Sequence, residues 1–401
     1  MARHRRDRRG CPVAVSTAVS SPKPEAAVQA EAVVDLDAIA HNTRVLQEHA
    51  GEAGVMVVVK ADGYNHGALP VAQAALGAGA REIGVTTVGE AVELRTAGID
   101  APILCWLNLP DADFGAAIAA DIEIGVSSTR HLDAVAAAAV AAKTPATVSI
   151  KVDSGLNRNG VSPQEYPRVL DALARYARDG SVRLRGIFSH LAHADQPHNP
   201  VIDVQRQRFL DAVDAAKARN LAPEVIHLAN SAATLTRPDL HFDMVRPGIA
   251  VYGLTPVPDL GEYGLRPAMT LRARVALVKD VARGEGVSYG HEWTAPRDTM
   301  VALLPIGYAD GVPRTIGGRF DVLLGAERRP NVGRVCMDQI LVDLGPDGAG
   351  VTEGDLAVFY GPGDGGEPRA QDWADLLGSI HYEVVTMPRG RVVRSYTGAA
   401  S

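Results

Sequence analysis

The sequence predicts an α/β protein in which a (β/α)8 (TIM) barrel is followed by a C-terminal, mainly β domain. From residue 55 onward, short β-branched runs alternate with alanine-rich segments of helical length, and eight such runs fit within about 200 residues. After residue 265, strands follow one another through Gly- and Pro-containing turns with little helix between them. A doubly wound open sheet shows the same alternation, so strand counting leaves it as the alternative architecture.

These patterns divide the chain into three regions. We expect residues 1–30 to form a flexible tail, residues 31–265 the barrel, and residues 266–401 the β-rich domain. The tail begins with the arginine-rich run "MARHRRDRRG", and the stretch after it is too short and too polar for the apolar segment of a signal peptide.

Each predicted barrel strand is a short apolar run, and segments such as "STRHLDAVAAAAVAAK" separate the runs. The eight strands are VMVVV (55–59), EIGVTT (82–87), APILCWL (101–107), DIEIGV (121–126), TVSIKV (147–152), LRGIFSH (184–190), EVIHLA (224–229) and FDMVRP (242–247). In the C-terminal domain, strands are expected within 268–281, 299–311, 320–345 and 353–361, with a helix in "AQDWADLLGSI" at 370–380.

Composition is that of a globular protein of 401 residues, with 22% charged and 46% hydrophobic residues. The net charge of −7 argues against a nucleic-acid partner, and no apolar run is long enough to span a bilayer. The three cysteines form no CxxC pair and no zinc-type spacing, which favours a reduced, cytoplasmic compartment and predicts no metal site.

Unusual polar residues follow five of the predicted barrel strands. Because barrel enzymes build their sites at the carboxyl ends of the strands, this placement predicts an enzyme. The segment "ANSAAT" begins a helix after the seventh strand, and its backbone N–H groups and Ser231 hydroxyl could bind a phosphate. The residues at strand ends are Lys60, Lys151 with Arg158 in the next loop, His190, Asn230 with Ser231, and Arg246 with Gly248.

Lys60 ends a strand of four hydrophobic residues, just before the Gly-containing turn "ADGYNHGA". A lysine at a strand end can simply point into water, and an electrostatic clamp on an anion is a second interpretation. A desolvated amine, however, loses proton affinity and attacks carbonyl groups. A cofactor with both an aldehyde and a phosphate fits the two halves of the site, and that cofactor is pyridoxal 5′-phosphate.

The same turn resembles the cofactor-lysine motif of the alanine racemases, a family of barrel-type pyridoxal enzymes. Further segments resemble successive family blocks in the same order, from about residue 31 to the end of the chain. They are KVDSGLNRNG (151–160), SHLAHAD (189–195), HLANSAAT (227–234), VRPGIAVYG (245–253), GVSYG (286–290), PIGYADG (305–311), GRVCMDQ (333–339) and IHYEV (380–384).

The resemblance implies interconversion of L- and D-alanine, which supplies D-alanine for cell-wall peptidoglycan, and it implies a role for each matching residue. Lys60 would bind the cofactor covalently and act as one of two catalytic bases, and Tyr289 of the partner subunit in a homodimer would be the other. Arg158 and Met337, the latter also from the partner, would contact the substrate carboxylate, and Lys151 matches a position that is often carbamylated. The remaining cofactor-binding positions would be Tyr64, His190, Asn230, Ser231, Arg246, Gly248, Ile249 and Tyr382.

Racemisation requires a base on each face of the substrate, which explains a shared site between two chains. By resemblance, Arg246 lies against the pyridine nitrogen, where its permanent charge disfavours protonation of the ring. A buried arginine that only ties strand eight to its neighbours is the structural alternative. The turn departs from the usual family pattern K-A-[DN]-A-Y-G-H-G at Gly63 and Asn65, which puts its precision and the preferred substrate in question.

Three other functions remain open from the sequence. A racemase of the same family that acts on serine or another small amino acid differs only in specificity. A barrel-type decarboxylase would carry an acidic partner for the pyridine nitrogen, which Arg246 opposes. A pyridoxal-binding homeostasis protein resembles the barrel alone, and the β-rich domain argues against it.

Overall fold

The computed structural model describes residues 28–398, so most of the predicted tail, residues 1–27, lies outside the described residues. The strands are β1 (Ala30–Asp35), β2 (Gly54–Val58), β3 (Glu82–Val85), β4 (Ile103–Cys105), β5 (Glu123–Val126), β6 (Ala146–Lys151), β7 (Val182–Phe188), β8 (Val225–His227), β9 (Met244–Val245), β10 (Met269–Arg274), β11 (Leu277–Val281), β12 (Gly286–Val287), β13 (Trp293–Thr294), β14 (Thr299–Leu304), β15 (Asp321–Leu324), β16 (Glu327–Val332), β17 (Ile340–Gly345), β18 (Leu356–Tyr360) and β19 (Val393–Thr397).

Helices follow most barrel strands, and two more lie near the end of the chain. They are α1 (Leu36–Ala50), α2 (Lys60–Tyr64), α3 (Ala68–Gly77), α4 (Val88–Thr96), α5 (Phe114–Ala119), α6 (Thr129–Ala142), α7 (Tyr166–Arg178), α8 (Val201–Lys217), α9 (Ser231–Thr236), α10 (Ala370–Leu377) and α11 (His381–Thr386). Among the described residues, no helix is both long and apolar enough to cross a membrane.

Strands β2 to β9 form an eight-stranded parallel sheet in the order β8-β7-β6-β5-β4-β3-β2-β9. The sheet curls until β9 pairs with β2, with Val55 opposite Val245. The gap between β8 and β9 is bridged just beyond the strand ends, where the Arg246 N–H donates to the Ala229 carbonyl at 2.9 Å. The predicted (β/α)8 barrel is therefore confirmed, and the open sheet is not.

The barrel interior holds a separate small core of large side chains. Because side chains alternate between the two faces of a strand, Met56 packs inside the barrel while its neighbours Val55 and Val57 join the core beneath the helices. The interior core also contains Leu104, Phe188, Val225 and Met244. This packing fills the barrel below the carboxyl ends of its strands.

A nine-stranded sheet forms the second domain, in the order β11-β14-β17-β16-β15-β18-β10-β1-β19. Its core includes Trp373 of α10, whose ring packs edge-on against Phe320 and Tyr360 at centroid distances of 5.4 and 5.3 Å. The predicted helix at 370–380 ends at Leu377, where Gly378 adopts a left-handed C-cap, and α11 begins after it.

The first strand departs from the predicted layout. The sequence pattern predicts residues 31–35 as part of the barrel, but β1 pairs antiparallel with β10 and parallel with β19 in the C-terminal sheet. Its residues alternate between buried and half-buried positions, the pattern of a strand with one covered face. Eight other strands already complete the barrel, so β1 finds its partners in the other domain.

Candidate active site

A cavity of about 260 Å³ lies at the carboxyl ends of the barrel strands. Two domains contribute to it, since Tyr382 comes from α11 and the other lining residues come from the barrel. Its lining includes the eleven predicted residues Lys60, Tyr64, Lys151, Arg158, His190, Asn230, Ser231, Arg246, Gly248, Ile249 and Tyr382, together with Val58, Trp106 and Phe188.

The turn after Lys60 is left-handed. The five residues from Ala61 to Asn65 all have φ between 51° and 66°, and four of them are not glycine. This conformation costs an L-residue about 1–2 kcal/mol, so surrounding contacts must hold it. The Glu90 carboxylate accepts the Ala61 N–H at 2.7 Å, and Asp62 accepts the Ala68 N–H at 2.9 Å.

The position of Lys60 favours a neutral amine. Burial lowers its pKa, the nearby Arg158 guanidinium lowers it further, and Glu90 opposes both effects. A lower pKa increases the fraction of amine that carries a free electron pair at neutral pH, which is what a nucleophile or a base requires.

Backbone and hydroxyl groups crowd together opposite the lysine turn. Ser231 Oγ accepts hydrogen bonds from the backbone N–H groups of Gly248 at 2.8 Å and Ala250 at 3.3 Å. A Cβ atom at position 248 would overlap the Tyr64 hydroxyl and lie 3.0 Å from Tyr64 Cζ. Only glycine therefore leaves room for the Tyr64 ring in this part of the cavity.

The Tyr64 and Tyr382 rings form one wall, with their centroids 6.3 Å apart. Burial raises the pKa of both phenols above the ordinary value. Both hydroxyl groups therefore stay protonated at neutral pH, as hydrogen-bond donors.

Arg246 is buried, and its side chain has no carboxylate partner among the described residues. Its Nη1 donates to His227 Nδ1 at 3.0 Å, and its Nη2 donates to the Ser189 carbonyl at 2.6 Å. Desolvation lowers its pKa to about 9. The same desolvation, together with the Arg246 charge, keeps the pKa values of His190 and His227 well below the usual range, so both imidazoles are neutral.

Lys151 is a second lysine that lines the cavity. It is 7% exposed, its Nζ lies 5.8 Å from the Phe188 ring centroid, and burial together with Arg246, Arg158 and Lys60 lowers its pKa to about 8. Four basic side chains line the cavity, and none of its described lining residues is acidic. This electrostatic environment selects an anionic ligand.

Trp106 is a cavity residue that sequence reasoning missed. It follows β4, and two glycines on the neighbouring strands make space for its side chain. A Cβ at Gly84 would lie 2.7 Å from Trp106 Cζ3, and a Cβ at Gly125 would lie 2.9 Å from Trp106 Cβ. The glycines inside two otherwise apolar strands are the signal that could have identified a large side chain between them.

Two predicted site residues are not brought to this cavity within one chain. Tyr289 and Met337 lie on the C-terminal domain, 72% and 52% exposed. Their segments lie side by side, since Ser288 Oγ is 3.3 Å from Cys336 Sγ. A second cavity of about 370 Å³, lined partly by Tyr289 and Cys336, lies next to them.

Comparison with known proteins covers both domains. Residues 34–256 match the alanine racemase N-terminal domain family, and residues 268–396 match the alanine racemase C-terminal domain family. The chain is 60% identical over 372 residues to the alanine racemase of Mycobacterium ulcerans, covering 93% of this chain and 96% of that protein.

Solved structures give the same result. The alanine racemase from D-cycloserine-producing Streptomyces lavendulae superposes with a TM-score of 0.91 at 46% identity, covering 94% of this chain and 98% of that one. The alanine racemase of Streptomyces coelicolor A3(2) superposes with a TM-score of 0.90 at 46% identity, covering 93% and 99%.

Proposed function

This chain belongs to the alanine racemase family, a family of amino-acid racemases, and from that premise we propose that it interconverts L- and D-alanine with pyridoxal 5′-phosphate at the barrel cavity. One observation carries the proposal. Lys60, its pKa lowered by burial and by Arg158, lines a cavity with three other cations and no acidic side chain among the described lining residues.

The residues of the cavity fit this cofactor. Its phosphate group needs hydrogen-bond donors and positive charge, and its aldehyde needs a neutral amine. The buried hydroxyls of Tyr64 and Tyr382 remain protonated, and the lack of a side chain at Gly248 leaves room for the Tyr64 ring. These groups, with Ser231 and the N–H of Ile249, would hold the phosphate, while His190 and Asn230 would lie beside the ring.

When bound, the cofactor supplies an electron sink that makes the α-proton of an amino acid acidic. The protein contributes the groups that remove and return that proton. Lys60 accepts it on one face, because burial lowers the pKa of its amine and thereby increases the fraction that is neutral. A second base must stand on the opposite face, and the cavity of one chain holds no side chain that we assign to that role.

We infer that Tyr289 of a second copy supplies this base in a homodimer. Tyr289 and Met337 are both exposed, and the segments that carry them lie side by side on the β-rich domain. Leu107 and Leu109, which directly follow the cavity residue Trp106, are also exposed, by 57% and 72%. A second chain that places Tyr289 at this cavity would also cover these two apolar side chains.

Arg246 would face the pyridine nitrogen of the cofactor. A guanidinium cannot accept a proton, and its charge disfavours a proton on the ring nitrogen. Ring protonation strengthens the electron sink, so Arg246 would limit side reactions such as decarboxylation and transamination while still allowing proton exchange. The absence of a carboxylate among its described partners supports this role.

Lys151 would be carbamylated. The neutral amine attacks carbon dioxide, a nitrogen–carbon bond forms, and one proton leaves to solvent. The product is an anion, which would pair with Arg158 and hold that guanidinium toward the substrate carboxylate. A pKa of about 8 and three neighbouring cations both favour conversion of this buried cation into an anion.

The direct test is chiral chromatography after incubation of the purified protein with pyridoxal phosphate and L-alanine, L-serine or larger L-amino acids. Rapid formation of D-alanine with little product from the others is expected. Faster racemisation of serine would keep the mechanism and change the substrate, since one methylene or hydroxyl alters selectivity by only about 1–3 kcal/mol in an apolar pocket. No D-product from any amino acid would refute the racemase proposal.

A further inference from the structure

The Asn65 side chain connects the cofactor-lysine turn to the C-terminal domain. Its Nδ2 donates to the Pro388 carbonyl at 2.8 Å and to the Val385 carbonyl at 3.4 Å. Val385 belongs to α11, the helix that carries Tyr382 into the cavity. We propose that Asn65 is a positioning residue, which fixes Tyr382 relative to Lys60 and thereby sets the affinity of the cavity for its phosphate-bearing cofactor.

Asparagine meets two demands at this position. The backbone has φ 66° and ψ 14°, and its N–H donates to the Ala61 carbonyl at 3.0 Å to close the turn. Glycine meets this backbone requirement best, and asparagine tolerates it better than most residues. Only asparagine of these two also carries an amide donor, and the donor points at carbonyls of another domain.

The acceptor side also needs this donor. The last carbonyls of a helix have no partner within the helix, and Val385 lies in the final turn of α11. This helix has six residues, too few to be stable by itself. Tertiary contacts must therefore fix it, and the Asn65 amide satisfies both a carbonyl of its last turn and one just beyond it.

Other contacts do not replace this connection. Asp62 of the same turn pairs with Arg394 at 2.6 Å, but Arg394 belongs to β19. Among the described residues, the hydrogen bonds between the Lys60–Gly67 turn and the segment 381–388 both come from the Asn65 amide. The Tyr64 ring also packs against Tyr382 of α11, but ring packing supplies no donor for the Val385 and Pro388 carbonyls.

The inference rests on the proposed function in one respect, namely that Tyr64 and Tyr382 bind the phosphate group of the cofactor. Removal of the amide leaves two carbonyls without a donor and lets α11 shift relative to the turn. We expect the Kd for pyridoxal phosphate to rise between about threefold and tenfold, the range of one hydrogen bond. We also expect the backbone amides of α11 and Met387 to exchange with solvent several-fold faster.

The experiment compares Asn65→Gly and Asn65→Asp in the full-length protein. Asn65→Gly keeps the left-handed backbone and removes the donor, whereas Asn65→Asp keeps the size and places an acceptor against two carbonyls. Asn220→Gly is the matched control, because Asn220 also has a left-handed φ of 59° in the turn after α8. Hydrogen exchange is measured with and without cofactor, and Kd by titration of the visible absorbance.

Both Asn65 variants should show faster hydrogen exchange in residues 381–387 and a higher Kd for the cofactor. The exchange rates of α7 should not change. Asn220→Gly should match the wild type in both exchange and Kd. Unchanged exchange in both variants would overturn the inference. Faster exchange with an unchanged Kd would also overturn it, because the connection would then be structural only. The proposed function fails by a different observation, namely a wild-type protein that does not bind pyridoxal phosphate or racemise alanine.

Discussion

The Arg246 guanidinium donates through Nη1 to both the ring nitrogen Nδ1 and the carbonyl oxygen of His227, at 3.0 and 2.9 Å. Since Arg246 is always a donor, His227 Nδ1 is the acceptor and its neutral ring carries its proton on Nε2. The arginine at the end of β9 and the histidine at the end of β8 therefore fix each other where the barrel closes. This pairing predicts how substitutions of Arg246 will behave.

We expect Arg246→Lys to lower the free energy of unfolding by about 1–3 kcal/mol, because a lysine cannot satisfy the Ser189 and His227 acceptors in the same fixed geometry. Racemisation should fall as well. Urea unfolding at fixed protein concentration measures the change in the free energy of unfolding. The control is Arg206→Lys, whose more exposed pair with Asp239 spans 3.6 Å and should change stability by less than about 0.5 kcal/mol. Equal effects of the two substitutions would contradict the prediction.

Gly248→Ala should weaken cofactor binding at least about tenfold, because the added methyl group would displace the Tyr64 ring. Equilibrium dialysis of pyridoxal phosphate provides the measurement. Gly89→Ala is a suitable control, since a Cβ there would meet nothing nearer than Thr87 Oγ1 at 3.8 Å. That change lies in α4 and should leave binding intact and stabilise the helix by about 0.5–1 kcal/mol. Unimpaired binding in Gly248→Ala would show that the Tyr64 ring can move aside without loss of cofactor affinity.

Acid should destabilise the protein through His66, which is fully buried with Nδ1 against the Tyr64 carbonyl at 2.9 Å. Burial lowers its pKa to about 4, whereas an unfolded histidine titrates near 6.5. The unfolded chain therefore binds more protons between these values, so stability is unaffected above pH 6.5 and falls as the pH drops from 6.5 toward 4. We expect this residue to contribute a loss of about 2 kcal/mol at pH 5.

The measurement is urea unfolding at pH 7.5 and pH 5 for the wild type and for His66→Gln. The variant should lose less stability than the wild type between the two pH values. Exposed His198→Gln serves as the reference and should retain the wild-type difference. If His66→Gln shows that same difference, the acid sensitivity arises elsewhere.

Tyr289→Phe should reduce racemisation about 10²–10⁴-fold, the usual contribution of a general base. If each active site is built from two subunits, mixtures of two different variants give a sharper test. When Tyr289→Phe and Lys60→Ala subunits are dissociated together and reassembled, about a quarter of wild-type activity should return, because half of the dimers are mixed and each has one intact site. Activity that stays at the level of the separate variants would place both bases in one chain.

Lys151 should take up ¹³C-labelled bicarbonate as a carbamate. Its pKa of about 8 means that the reactive neutral amine increases as the pH rises through 8, so labelling should increase over that range. Nuclear magnetic resonance of the labelled carbon detects the product. Lys151→Arg should lose the signal, and exposed Lys143→Arg should keep it. A signal that survives in Lys151→Arg would assign the carbamate to another amine.

Much of the barrel site could be predicted because strand ends are local features of the sequence. An apolar run that stops at Lys60 or Arg246 indicates a strand. It also indicates that the polar side chain lies at the carboxyl end of that strand. In a parallel barrel all such ends converge on one face, so separate motifs are brought to one cavity without any knowledge of their contacts. Eight of the eleven lining residues share this origin, and the family resemblance supplied Tyr64, Ile249 and Tyr382.

Other features depend on partners that local patterns do not reveal. Trp106 belongs to an apolar run, and the signals that distinguish it from an ordinary core residue lie outside that run, at Gly84 and Gly125 on the neighbouring strands. The left-handed run after Lys60 contains alanine, aspartate and tyrosine, whose preferences favour other conformations, so contacts from Glu90 and Arg394 decide it. The pairing of β1 depends on strands at the far end of the chain.

That pairing has a consequence for synthesis on the ribosome. Arg272 of β10 forms its ion pair with Glu31 of β1 at 2.8 Å, across 241 residues of sequence. At about 5–20 residues per second, the first strand waits roughly 12–50 s for its antiparallel neighbour, and longer for β19 on its other edge. The barrel can therefore be complete while the sheet that contains β1 is not. Until β19 has been made, a nascent chain carries β1 with an unpaired edge, and a holdase chaperone would matter most in that interval.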